Sequence, residues 1–387
     1  TMTHHATNLD LPGEANITTA AGDVAVFQST GSNTVQCINY TKADGTGVVS
    51  AGGGAVTNML NNPEFRVNSR LQSAEHTAAS NFPNDDDSIL LDQWYLLSEG
   101  NDIVDVGRQN DQFTGFAHSI NFAVQTISKK FGILQILEHD NCENIIGGTA
   151  SLSFTAKVND VSAGRLDNIK AAVVEWTSTS DSPTTDIISA WNAEDTTPTL
   201  IANWEFSNTP ANLSVLTTEA RYTIENISID GSGTNNVGVF IWADGLSGTA
   251  TDTLEITGVQ LETGATANDF SHIDIGTDHE RCFRYFVPPH SSNMYNVGQS
   301  TGTTTYAGGG WLPTRMRTTP SSVTTTGFAS QGFSAGVKAT SSTAMSGIAG
   351  GHRNNYVEFA VAGFTGLTDE RIFCNRTSND FFWSAEF

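Results

Sequence analysis

In the run Thr149–Val158, Leu152, Phe154, Ala156 and Val158 alternate with Ser151, Ser153, Thr155 and Lys157. A period of two sends one set of side chains into a core and the other into water. The segment therefore folds as a strand of a half-buried antiparallel sheet and not as a helix. Similar short runs occur at 90–96, 116–122, 169–176, 220–225, 237–242 and 253–262, with turn residues between them. Seven or eight strands so spaced predict an antiparallel β-sandwich, of jelly-roll type, over residues 58–275. The run 131–137 fits a short helix or a strand equally well, because periodicity cannot decide so short a segment.

The flanking regions are also β-rich. In residues 1–57, Asp23–Phe27 and Thr34–Tyr40 flank the turn-rich stretch 28–33, which is a hairpin signature. Val24, Val26, Val35, Cys37 and Ile38 offer too little apolar area to stabilise a lone hairpin, so this segment is expected to pack against another chain. A Gly-rich linker at 45–54 follows. Residues 276–387 predict a smaller β domain, in which 280–286 reads as a buried strand and 356–362 alternates well. The apolar stretch 379–387 closes the chain as a strand tied into that domain, since left loose it would aggregate. The expected class is all-β.

Composition narrows the function. The 18 Lys+Arg stand against 41 Asp+Glu, giving a formal net charge of −23, and only six residues are Lys. A phosphate backbone needs clustered cations, so nucleic-acid binding is not expected. No apolar run approaches the ~20 residues of a membrane span. Cys37, Cys142, Cys282 and Cys374 are too sparse for a disulfide framework and read as buried thiols. The chain begins at Thr1 and not Met, which fits processing or a longer parent product.

Several phrases occur together and in order. Asn62-Pro-Glu-Phe-Arg-Val-Asn-Ser-Arg70 is followed by Leu91-Asp-Gln-Trp-Tyr95, then by Gly148-Thr-Ala-Ser-Leu-Ser-Phe-Thr-Ala-Lys157. Ile256–Glu262 runs on to Gly264–Phe270, and Glu280–Phe286, Met316–Val323 and a closing Phe-Trp-Ser-Ala-Glu-Phe come after it. Over about residues 58–387 this order resembles the tail-fibre and receptor-binding-type structural proteins of tailed bacteriophages. In those, a carbohydrate-binding-module-like jelly roll precedes a small C-terminal β domain. One departure is Thr155, where the family usually has an aromatic. The resemblance implies a virion protein assembled in the host cytoplasm, commonly a homotrimer. It would be attached to another virion protein through residues 1–57 and would bind host surface glycans without catalysis. The rival expectations are a head-decoration or fibre-base protein that binds no receptor, and a polysaccharide depolymerase.

Candidate chemistry is sparse. Asp85, Asp86 and Asp87 form the densest acidic loop, which suits the hard oxygen coordination of a structural calcium, although no DxDxDG pattern accompanies them. No other cofactor is expected. His139/Cys142 and His279/Cys282 share an HxxC spacing that offers zinc ligands in principle, but they fall in different expected domains. Gly332-Phe-Ser-Ala-Gly336 matches a nucleophile-elbow pattern without the strand–turn–helix context that the elbow needs. No catalytic residues are nominated. Aromatics are the better binding candidates, because a sugar's C–H face stacks on indole. Trp94, Trp176 and Trp242 lie in strand patterns and are expected in the core. Trp191 and Trp204 border a loop-like stretch where exposure is expected, and Trp311, between Gly310 and Leu312-Pro313, suits an anchor in a trimer interface equally well. Trp191, Trp204 and Trp311 are therefore the expected ligand contacts.

Overall fold

The structure is a computed structural model. It describes residues 1–5, 7–11, 16–43, 58–72, 82–159, 166, 168–245, 250, 252–288, 297–324, 329–332, 336–339, 346–350, 355–364, 367, 372–375 and 381–387. The linker at 45–54 and Phe333-Ser-Ala335 of the elbow-like match lie outside these residues. The chain divides into two compact units, Thr1–Thr57 and Asn58–Phe387. The expected boundary at 275/276 falls inside the second unit, at the first turn of a helix.

The first unit is a three-stranded sheet. Val24–Gly31 pairs antiparallel with Thr34–Thr41, and Leu9–Asp10 adds a parallel strand on the far side of the latter. Leu11, Ile17, Cys37 and Tyr40 form its small buried cluster. Val24, Val26 and Ile38 are instead 61%, 44% and 55% exposed.

The second unit contains the β-sandwich. A five-stranded sheet runs in the order Ala220–Ser228, Thr149–Val158, Thr253–Thr263, Phe116–Val124, Val104–Phe113. A six-stranded sheet runs Trp204–Phe206, Ile169–Trp176, Asn236–Ala243, Phe131–Ile136, Tyr95–Ser98, Ser88–Ile89. All neighbours within these two sheets are antiparallel. The ambiguous run at 131–137 is thus a strand. Leu152, Phe154, Ala156 and Val158 enter the core between the sheets, together with Ile120, Phe122, Ile169, Val173 and Val239, as their alternation requires. At Gly258 (φ +56°) a bulge shifts the register of Thr253–Thr263, so that Leu254, Ile256, Val259 and Leu261 all remain inward. A side chain there would collide with Phe116, 2.6 Å from an added Cβ.

Two expectations about local structure are corrected. Residues 280–286 are not a strand: Ile275–Phe283 is a helix, and only Phe286–Val287 is extended. Asp274 caps the helix by accepting from the N–H groups of Gly276 and Thr277, a local hydrogen-bond arrangement that outcompetes the short apolar pattern. The run 90–96 is a strand only from Tyr95, because Leu90 and Trp94 close a tight turn through Leu90 N–H to Trp94 O at 2.7 Å, with Gln93 at φ +73°.

Two further sheets follow the helix. In one, Phe381–Ser384 lies between Phe286–Val287 and Ser321–Thr324. The other is seven-stranded: Gly336–Ala339, Ala329–Gly332, Ile372–Asn375, Val297–Ser300, Tyr306–Trp311, Tyr356–Val361, Ser346–Gly350. Val287, Tyr306, Leu312, Met316, Val357, Phe359, Val361 and Trp383 form the core beneath them. Among the described residues no helix is long and apolar enough to cross a bilayer.

The last residues reach back into the sandwich. Arg70, 1% exposed, pairs with Glu386 and lies 4.2 Å from the centre of the Phe286 ring. Gln93 donates to the other Glu386 oxygen at 3.0 Å, and Arg70 also faces the buried Asp92. One guanidinium between two buried carboxylates neutralises only one of them. Burial accordingly pushes Asp92 and Glu386 upward, with Arg70 opposing the shift. A folded pKa above the unfolded one means that the ionised form costs stability. That cost is full above the folded pKa, and it fades as pH falls through it toward the unfolded value. Asp92→Asn retains an oxygen for the Ser69 N–H, which Asp92 accepts at 2.7 Å. The variant is expected to be more stable than the parent at pH 7, with the gap narrowing by pH 5 in denaturant titrations. A gap that widens on acidification would refute this account of the cluster.

Candidate functional site

The structure separates the three candidate tryptophans. Trp191 and Trp204 are 9% and 4% exposed, which corrects the expectation of exposure. The segment between the strands Ile169–Trp176 and Trp204–Phe206 folds over the outer face of the six-stranded sheet. There Trp176, Trp191, Trp204, Phe240 and Trp242 form a second apolar layer. Phe240 and Trp242 stack at 4.6 Å and 10°, and Trp204 Nε1 donates to Thr184 O at 3.1 Å. This layer buries aromatic area that the loop position had suggested was free for ligand. Trp94, Trp176 and Trp242 are buried, as expected.

Trp311 is different. It is 77% exposed, at the end of the strand Tyr306–Trp311. The strand alternates: Tyr306 is buried against Phe359 and Phe364, while Trp311, Gly309 and Ala307 share the outer face. The neighbouring strand Tyr356–Val361 sets Tyr356 opposite Trp311, Glu358 opposite Gly309 and Ala360 opposite Ala307. On the other side, Gln299 stands opposite Ala307. The Tyr356 phenol lies across Gly309, which is buried beneath it, so the outer face runs from the exposed Trp311 ring over Tyr356 to the small side chains of Ala307 and Ala360, edged by Glu358 and Gln299. The rings of Trp311 and Tyr356 meet edge to face at 5.2 Å and 64°. That contact braces the indole, which stays 77% exposed. Glycine at 309 is required by this packing, since a Cβ would collide with the Tyr356 hydroxyl.

Chemically, the patch offers an open indole for a C–H face, a phenol and an amide for hydroxyls, and one carboxylate. Among the described residues that register places on it, none form a nucleophile–base pair. Tyr356, Glu358 and Gln299 were not singled out from the sequence. The alternation at 356–362 gave a strand, but only the register joins it to Trp311.

The acidic loop does not converge on a common point. Asp86 Oδ1 accepts from Ser98 N–H at 2.7 Å, and Asp87 Oδ2 accepts from the Thr185 hydroxyl at 3.1 Å. Burial, and then the nearby Asp186 charge, raise both carboxyl groups above the usual range. Asp85 lies exposed beside them. Among the described residues no group of three or more His, Cys, Asp or Glu is arranged to hold a metal, so the calcium expectation gains no support, nor does the zinc spacing. His139 Nδ1 lies 2.6 Å from Asn235 O, and Cys142 is buried with its thiol pushed up to about 12 by desolvation. Cys37, Cys142 and Cys282 are buried free thiols.

No protein-family model and no curated protein matches the chain. Among solved structures, the enzymatically active domain of tailspike protein 4 from bacteriophage CBA120 is similar at 16% identity and a TM-score of 0.30; the alignment covers 54% of this chain and 21% of that one. The carbohydrate-binding module TmCBM61, solved with β-1,4-galactotriose, is similar at 15% identity and a TM-score of 0.28, over 54% of this chain and 99% of that one. A xylan-binding domain from carbohydrate-binding module family 22 is similar at 9% identity and a TM-score of 0.28, over 49% of this chain and 99% of that one. The alignments span only a fifth of the tailspike domain and half of this chain.

Proposed function

We propose that the chain is a non-catalytic glycan-binding protein of a phage virion, a tail fibre or fibre-like appendage, which holds host surface sugars on the Trp311 patch. The single observation that carries glycan binding is the 77% exposed indole, braced by Tyr356 beside a floor of small residues. An indole left in water on a rigid sheet is costly unless something covers it, and a sugar ring fits a flat, polar-edged platform. The virion assignment rests on the ordered phrases from Asn62 to Phe387. In this reading residues 1–57 supply attachment, with Val24, Val26 and Ile38 as the apolar side chains that a virion partner or further copies of the chain would cover. Repetition in a homotrimer would let weak sites act together, because each bound copy raises the effective concentration of the next.

The test is a glycan array read with the parent chain and with Trp311→Ala. Loss of the ring is expected to weaken binding by about 2 kcal/mol, roughly thirtyfold in Kd, as for an anchoring aromatic. The melting temperature should stay unchanged, because the ring is exposed. Array binding that survives the substitution at full strength would remove the patch from the proposal. Sedimentation of the full chain as a stable monomer would remove the trimer.

A further inference from the structure

The charge around Trp311 says more than that a sugar fits. Among the described residues that register places on this outer face, Glu358 carries the formal charge, flanked by Gly309, Ala307 and Ala360. Glu358 is exposed and stands two residues along the strand from Tyr356, roughly 7 Å at strand spacing. The indole of Trp311 is 77% exposed, and its π system attracts a cation as well as a C–H surface. The whole chain adds to the same sign, at −23. A carboxylate and an indole on a neutral floor form a site that is open to a positive group and repels a negative one.

We infer that the ligand is a glycan bearing a free amino sugar, whose ammonium sits between the Trp311 ring and the Glu358 carboxylate. This inference rests on the reading of Trp311 as the glycan platform and names the substrate class for it. An ammonium gains from the ring and from the carboxylate together. An N-acetylated sugar retains the stacking and loses both charge contacts, while a uronic acid meets Glu358 with like charge.

The experiment uses the full chain and three probes of equal length: a glucosamine tetramer, its N-acetylated counterpart and a galacturonic acid tetramer. Tryptophan fluorescence and calorimetry report binding. The glucosamine tetramer is expected to bind roughly five- to tenfold more tightly than the acetylated one, which is the range of an exposed cation–π contact plus an exposed ion pair. No binding is expected for the galacturonate. Glu358→Gln should lower the amino tetramer to the level of the acetylated one and leave the latter unchanged. High salt should erode the difference in the parent. Equal binding of the amino and acetylated tetramers, an unaffected Glu358→Gln variant, or no binding of the amino tetramer overturns the inference. The platform reading falls separately, only if Trp311→Ala leaves array binding intact.

Discussion

Replacing Arg70 with Ala is expected to cost about 3–5 kcal/mol of unfolding free energy, because it leaves buried acid without its cation. Arg70 is 1% exposed, and its partner Glu386 has a side chain that is 6% exposed. Removing the guanidinium also removes the face that packs 4.2 Å from the Phe286 ring. A second arginine limits the damage without replacing the first. Arg317 donates to Ala385 O at 2.8 Å and to Asp181 O at 3.0 Å, and lies 4.2 Å from the Phe387 ring. The loss should therefore be concentrated at the chain end. Hydrogen exchange is expected to rise first where Phe381–Ser384 pairs with Ser321–Thr324. A measured loss below about 1 kcal/mol, typical of a surface pair, would show that Glu386 is not held as described.

The second large effect concerns Asp244. Its two oxygens each meet a lysine, Lys130 Nζ at 2.6 Å and Lys170 Nζ at 2.6 Å, with Asp244 0% exposed. Two of the chain's six lysines are thus spent on one carboxylate, at the ends of the two strands that flank Asn236–Ala243, the strand leading to Asp244. Asp244→Ala would leave two buried ammonium groups, with relative exposures of 8% and 4%, supported among the described residues by the Trp191 carbonyl at 3.3 Å and the exposed Asp195 at 3.7 Å. Each group so left costs several kcal/mol, against a total stability of about 5–15 kcal/mol for a typical domain. The variant should melt far below the parent or fail to accumulate folded. Lys170→Met is the contrasting case, since it removes one charge, preserves the Lys130–Asp244 pair and fills the space with apolar volume. Its expected cost is about 1 kcal/mol. Similar losses for the two variants would sink the explanation.

The sandwich was legible where apolar residues recur along a short run between turns. Thr149–Val158 and Ile169–Trp176 were readable to their end residues, the first by alternation and the second by apolar residues interrupted only by Lys170 and Glu175. Val104–Phe113 was not, because its polar residues from Arg108 to Gln112 and the bulge before Phe113 leave only Val104 and Val106 as an apolar signal. The helix at 275–283 was hidden because capping by Asp274 is a single-residue signal, whereas Cys282, Phe283, Tyr285 and Phe286 together look like a strand. For the site, Trp311 was visible as an aromatic among glycines. Its partners were not, since Tyr356 and Glu358 lie 45 and 47 residues away and reach it only through sheet register. Trp191 and Trp204 misled because a loop-like sequence can still fold down as a lid on a sheet.

The strands of the seven-stranded sheet fall within residues 297–375, and Phe381–Ser384 after them pairs both with Phe286–Val287 before them and with Ser321–Thr324 from among them. The Trp311 sheet is thus tied at three places to one three-stranded neck. Tension applied at Trp311 reaches that neck through Phe286–Val287 on one side of the chain and through Ser321–Thr324 on the other, so it loads the two outer strands of the neck together. A sheet hung from a single strand would unzip along it. Here Arg70 holds Glu386 and Arg317 holds the Ala385 carbonyl just beyond the neck, so a tether under flow or thermal tugging would have to break several lines together.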